Sequence, residues 1–231
     1  MSERNYGFTK NGTPSSPFAI PGLERYWGTG TFATEALTQE AIAALEKAKK
    51  YDQPFYLYMS HYAVHVPIDR DMRFYPVYRA RGLSEKEAAY ASLIAGMDKS
   101  LGDLMDWVAQ AGLERETIII FMSDNGGLAS SSYWRDGELY TQNAPLKSGK
   151  GSLYEGGIRV PFIVKWNNVV KPNSRSYTPI IIEDLYPTLL SMAGIKNYRV
   201  PQTIDGKDIT PILRGKQRSF KKRQLIWNYP N

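Results

Sequence analysis

The sequence predicts an α/β protein built on a doubly wound, mostly parallel sheet flanked by helices. Three observations predict it. PFYLYMS (Pro54–Ser60), TIIIFMS (Thr117–Ser123) and VPFIVKW (Val160–Trp166) are short apolar runs with little polar alternation, the pattern of strands covered on both faces. Stretches with helical spacing lie before the first run, between the first and second, and after the third. Finally, the first two runs end in polar clusters, His61 and His65 after one and Asp124 and Asn125 after the other, and ligands of such sheets collect at the carboxyl ends of strands.

The elements follow in order. Residues 1–30, rich in Gly, Pro, Ser, Thr and Asn, read as an irregular arm. Leu37, Ile42 and Leu45, with alanines between and lysines at the end, predict a helix from Thr38 to about Lys50. PFYLYMS is the first strand, and HYAVHVPIDRD is a loop stopped by Pro67. Ala88, Leu93, Ile94, Met97, Leu101, Leu104 and Val108 predict a long helix from Glu85 to about Ala111, with Gly112 as its stop. TIIIFMS is the second strand. Residues 126–159, rich in Gly, Ser and Tyr, form a connection too long for a plain turn and are a candidate functional loop. VPFIVKW is the third strand, and Asp184 to Ala193 a helix ended by Gly194. Helix, strand, long helix, strand, loop, strand, helix is the order of a doubly wound fold.

Composition bounds the function. The chain has 231 residues, 42% of them hydrophobic and 23% charged, enough for a substantial core. Its net charge of +6 is largely local: Lys207, Arg214, Lys216, Arg218, Lys221, Lys222 and Arg223 face the single acid Asp208 over that stretch. Such a run reads as a solvated surface, and no aromatic–basic interleaving points to nucleic acid. The absence of cysteine excludes disulfides and thiolate zinc sites. MSERNYGFTKNGTPSS carries no apolar stretch of the secretory kind, and no run approaches the roughly 20 apolar residues of a membrane span.

Asp124 and Asn125 offer a carboxylate and an amide carbonyl, hard oxygen donors suited to Ca²⁺ or Mg²⁺ rather than zinc. Gly126 and Gly127 let the backbone turn and approach closely. The alternative is a plain strand-to-loop turn, since all four residues are turn formers. His61 and His65 lie four apart, a metal spacing on a helix, but Pro67 and the preceding strand argue against a helix there. Lys150, in Lys147-Ser148-Gly149-Lys150-Gly151, is followed by glycine where a phosphate-cradling loop needs Ser or Thr; its alternative reading is a solvated loop lysine. Taken together, a metal pair, a histidine and a lysine near strand ends are the parts for stabilising a tetrahedral oxyanion.

PFYLYMSHYAVHVP, MDKSLGDLMDWV, TIIIFMSDNGG, LKSGKGSLYEGGIRVPFIVKW and IIEDLYPTLLSMAGI resemble, in this order and spacing, the later part of type I sulfatases, over about Phe32 to Pro230. The resemblance implies an alkaline-phosphatase-like fold, with 31–231 the later portion of a catalytic domain, truncated on its N-terminal side and without the small C-terminal subdomain. It implies that Asp124 and Asn125 contribute oxygen ligands to Ca²⁺. It also implies that His65, in the H-x-P element with Val66 and Pro67, and Lys150, in the G-K-G element, contact the sulfate. His61 has no such role. Glu155, Gly156, Gly157 and Arg159 shape the loop and return strand, and Asp184 to Thr188 start a helix. The implied substrate is a sulfated small molecule or glycan, and an exported parent follows from the habit of the family.

The departures matter as much. These enzymes use a formylglycine made from the Cys or Ser of Cys/Ser-x-Pro-x-Arg. Cysteine is absent, and Ser15-Ser16-Pro17-Phe18-Ala19 has alanine where the arginine belongs. The early acidic pair that completes the calcium shell is missing too. Two oxygen side chains do not fill a shell of 6–8 ligands, so the expectation is a chain inactive alone that exposes an apolar edge open to self-association. Two alternatives stand beside it. A phosphatase or phosphodiesterase of the same superfamily would carry two transition metals and a histidine in place of Asn125. A non-catalytic anion- or partner-binding remnant would keep the contacts without the nucleophile.

Overall fold

The computed structural model describes residues 20–26, 28–128, 143–216, 219–221 and 223–228. Two compact units divide them, one of residues up to Leu113 together with Gly127–Pro145, the other of Glu114–Gly126 and Leu146 onward.

The first unit is helical. α1 (Ala33–Lys50) begins a full turn before the expected Thr38. The usual starting cue is missing because Phe32 holds the N-cap position without a side chain able to accept a hydrogen bond. Thr38 lies inside the helix instead. Its hydroxyl bonds to the Thr34 carbonyl oxygen at 2.7 Å and meets the Ser100 hydroxyl at 2.6 Å, both buried, so a polar pair is satisfied within the helix contact. α2 (Tyr75–Ala80) was not expected; Pro76 in its first turn suits a helix start. α3 (Glu85–Gln110) matches its expected span and starts with a capping box, in which Ser84 and Glu87 each accept the other's backbone N–H.

Leu45 of α1 packs with Trp107 and Val108 of α3, while Tyr75 of α2 packs with Ala88 and Ala89. Trp107 donates its indole N–H to Glu46 at 2.8 Å, which leaves no orphan polar atom in that contact. Ile20, Leu23 and Tyr26, within the stretch read as an arm, are buried against Ala36.

The predicted first strand is corrected. Pro54–Ser60 joins no ladder among the described residues, and its side chains are largely exposed. Its composition favours a strand, but a strand is stabilised by partners across its edges, and none is found among the described residues.

The second unit holds the sheet. β1 (Ile119–Met122) and β2 (Phe162–Lys165) pair antiparallel, Ile119 opposite Lys165 and Met122 opposite Phe162. The other two expected strands are therefore present. The mostly parallel arrangement is not seen among the described residues, because these two strands run in opposite directions along the one ladder. α4 (Glu155–Ile158) interrupts the long connection. A 3-10 turn (Ile182–Asp184) leads into α5 (Leu185–Met192), and α6 (Thr210–Leu213) follows.

Asp184 ties this end together. It is fully buried and accepts the backbone N–H groups of Ile181 (3.0 Å) and Lys207 (2.7 Å) and both terminal nitrogens of Arg223 (2.7 and 2.6 Å). Arg223 is thus an exception to the solvated reading of the basic run; Arg218 and Lys222 lie outside the described residues. Among the described residues no helix is long and apolar enough to cross a membrane.

Candidate active site

β1 delivers Ser123, Asp124 and Asn125 at its carboxyl end. The turn is held locally. Ser123 donates its hydroxyl to the Asn125 carbonyl at 2.9 Å, and Asp124 Oδ1 accepts the Asn125 N–H at 2.9 Å. Asp124 is exposed and its second carboxylate oxygen is not engaged by these bonds. This turn and a hard-donor pair coexist, so the two alternative readings of Asp-Asn are not exclusive.

Gly126 explains how the turn meets the next loop. Its N–H donates to the Gly157 carbonyl at 3.0 Å, and a Cβ on it would overlap the Gly156 carbonyl oxygen. Gly156 lies equally tight under the carbonyls of Lys147 and Ser148, and Gly157 under those of Gly149 and Ser152. The close approach anticipated for Gly126 is therefore to backbone.

Those carbonyls belong to the segment carrying Lys150. Ser152 donates its N–H to Gly149 at 3.1 Å, and Gly151 has φ of +83°. Gly149-Lys150-Gly151-Ser152 is a β-turn with the positive φ at its third residue that a type II turn requires. Lys150 occupies the second position and is half-buried. Lys147 lies over the Tyr154 ring, its ammonium 4.0 Å from the centroid, a cation–π contact. The Asp-Asn turn and the Lys150 turn are thus joined through Gly126, Gly156 and Gly157 within one unit.

His65 belongs to the first unit, as does His61. His65 is exposed, and its Nδ1 lies 2.9 Å from the carbonyl of Val66. A carbonyl only accepts, so Nδ1 carries the hydrogen and Nε2 is the nitrogen left for a ligand. A neutral ring would therefore offer an acceptor there; donating to an anion requires the imidazolium. His61 differs. Its Nδ1 is buried without a hydrogen-bond partner, and burial pushes its pKa below the ordinary value.

Sequence reasoning missed Asn143, whose carboxamide accepts the Gly127 N–H and donates to the Gly127 carbonyl, both at 2.9 Å. It also missed the Lys147–Tyr154 contact. An aromatic residue seven positions after a lysine in a loop carries no periodic signal. Tyr133, Trp134, Arg135, Asp136, Glu138 and Tyr140, within the candidate functional loop and open to either substrate contact or loop packing, lie outside the described residues, as does Ser15-Ser16-Pro17-Phe18-Ala19.

Among the described residues no group of three or more His, Cys, Asp or Glu side chains could hold a metal ion. The donors of Asp124 and Asn125 fit calcium in kind, both being hard oxygens, while their number leaves most of the shell to other groups.

Comparison with known proteins bears on the family. Residues 1–195 match the Sulfatase family. A sulfatase of Formosa agariphila is 33% identical over 218 residues, which is 88% of this chain and 38% of that protein. Human arylsulfatase A is 30% identical over 94% of this chain and 38% of its own length, and mouse steryl-sulfatase is 31% identical over 86% and 30%. The solved structure of Ps i-CgsB in complex with k-i-k-neocarrahexaose aligns with a TM-score of 0.72 at 32% identity, covering 81% of this chain and 39% of that one. The chain therefore spans less than half the length of these relatives. On the strength of the family match and these relatives, the chain belongs to the sulfatase family.

Proposed function

We propose that this chain supplies part of the catalytic centre of a calcium-dependent sulfatase acting on sulfate esters of small molecules or glycans. Asp124 and Asn125 are the residues that would hold Ca²⁺; when bound, the ion would draw negative charge from the sulfate oxygens. Lys150, in the same unit, contributes a second positive charge to the same group. The observation that carries the reading is the seating of Gly126 on Gly156 and Gly157, which couples the oxygen-donor turn to the lysine turn. The phosphatase alternative gains no support, because Asn125 stands where that chemistry would place a histidine.

The nucleophile of a type I sulfatase is a formylglycine; this chain has no cysteine from which to form one, and its nearest serine version, Ser15-Ser16-Pro17-Phe18-Ala19, has alanine where the arginine belongs. We therefore take the isolated chain to bind sulfate without turnover. The absent cysteine equally favours a non-catalytic anion-binding remnant, which would show the same binding but no partner able to restore catalysis. Names of relatives that include a steryl ester and a neocarrahexaose complex support a sulfated sterol or glycan as the substrate class.

Calorimetric titration tests the reading. Calcium chloride should bind in the 0.1–1 mM range or weaker, as expected for a sparse oxygen shell, and Asp124→Ala with Asn125→Ala should abolish the signal. Sodium sulfate binding should weaken in Lys150→Ala. Calcium binding that survives loss of both side chains, or a clear preference for zinc, would sink the assignment. Turnover of an aryl sulfate by the purified chain would overturn its inactivity.

A further inference from the structure

The sequence holds two Asn-Gly pairs, Asn11-Gly12 and Asn125-Gly126. The second lies among the described residues, in the turn that follows β1. A glycine after asparagine has no side chain to keep its nitrogen away from the asparagine carboxamide. In this turn the peptide group between the two residues is clamped at both ends. Its carbonyl oxygen accepts the Ser123 hydroxyl at 2.9 Å, and its N–H donates to the Gly157 carbonyl at 3.0 Å. The Gly156 carbonyl leaves Gly126 no room even for a Cβ. The Asn125 N–H is held as well, by Asp124 Oδ1 at 2.9 Å. The Asn125 carboxamide, by contrast, makes no hydrogen bond among the described residues.

We propose that Asn125 is a self-modification site, converting to aspartate or isoaspartate through a succinimide, and that the clamping hydrogen bonds hold this off in the folded chain. The Gly126 nitrogen, after giving its proton to hydroxide, forms a bond to Cγ of Asn125. The bond from Cγ to the side-chain nitrogen breaks, and that nitrogen takes a proton from water and leaves as ammonia. A water molecule then opens the succinimide ring. Attack at Cγ gives aspartate; attack at the main-chain carbonyl carbon gives isoaspartate, which adds a carbon to the main chain. While the Gly126 N–H is bonded to Gly157, no base reaches its proton, since the carbonyl only accepts a hydrogen bond. Ring closure also turns the peptide plane, which the Ser123 bond opposes. Conversion therefore proceeds from an opened turn, at a rate set by how often it opens. The isoaspartate product does not return to the seat, because its added carbon lies just before the contact that excludes a Cβ. The inference rests on these bonds and not on the proposed reaction, so calcium or sulfate binding can fail while it stands.

The test is incubation of the full chain at neutral pH, folded in buffer and unfolded in guanidinium. Fragmentation of the intact chain separates Asn125 from Asn11 and isoaspartate from aspartate. Expected is steady conversion of Asn125 in guanidinium and conversion slower by on the order of 10-fold or more in buffer. Ser123→Ala removes one clamp and leaves Gly126 untouched. It should speed conversion in the folded chain about 2- to 10-fold, the worth of one hydrogen bond, and leave the rate in guanidinium unchanged. Ser123→Thr, which keeps a hydroxyl, should restore the slow rate, and circular dichroism checks that both variants are folded. Absence of conversion in guanidinium would overturn the site. Equal rates for the folded and unfolded wild type would overturn the clamp whatever the variants do, as would a folded Ser123→Ala chain no faster than wild type.

Discussion

Asp184 shows how a single side chain can fix a terminus. Burial by itself opposes its ionisation, but the Arg223 guanidinium and the N–H groups of Lys207 and Ile181 outweigh that and hold its pKa below the ordinary 3.8. A depressed carboxylate pKa adds stability that is present above the unfolded value and lost as pH falls through the folded one. Arg223→Ala leaves the charge buried without its partner and should cost about 3–5 kcal/mol, read by urea denaturation; Arg223→Lys should recover only part of this, since it cannot engage both oxygens as a fork. His61 responds to pH on its own account. Burial lowers its folded pKa below the ordinary 6.5, so its contribution to stability is complete above pH 6.5 and is lost between there and the folded value. The melting temperature should fall across that window, and His61→Phe should flatten the fall; an unchanged profile would remove His61 as the cause. Neither behaviour was legible in the sequence. Arg223 looked like one more member of a basic run, and the chain separation of 39 residues from Asp184 hides the pairing from any local pattern.

At the level of elements, spacing was informative where packing follows local period. The long helix was readable because its apolar positions recur at helical intervals and Ser84 announces its start. β1 and β2 were readable as compact apolar runs. α1 began earlier than expected because a backbone carbonyl, that of Phe32, starts it without a capping side chain. Pro54–Ser60 failed as a strand for the opposite reason: its side chains suit a sheet, while the partners that make a ladder are not in the described residues. Asp124, Asn125 and Lys150 stood out as candidates by residue type, but the coupling of their two turns was not legible, since it runs through glycine backbone. That coupling makes a sharp prediction. Gly126→Ala should force a Cβ into the Gly156 carbonyl, displace the Lys150 turn and weaken sulfate binding at least as much as Lys150→Ala. Gly102→Ala, at a position with open space around it, should leave binding unchanged and stabilise α3 by about 1 kcal/mol. Equal sulfate affinities in the two alanine variants would show that the glycine contact does not position the lysine.

For the whole molecule, the fold class was legible as α/β and the family through ordered blocks, while the direction of the strands was not, because apolar runs alone do not encode which neighbour a strand will take. The net charge of +6 belongs to this scale as well. Without a recognition element it should give only weak, salt-sensitive attraction to duplex DNA, with retention at 50 mM salt lost by 200 mM; retention that persists, or that depends on sequence, would revive a nucleic-acid role. The uncharged stretch through Pro54–Ser60 has a consequence for digestion. With no lysine or arginine between Lys50 and Arg70, trypsin must release the unpaired segment, His61 and His65 together as a single peptide beginning at Tyr51. One mass-spectrometric signal then records the accessibility of the segment and the chemical state of both histidines in the same molecule.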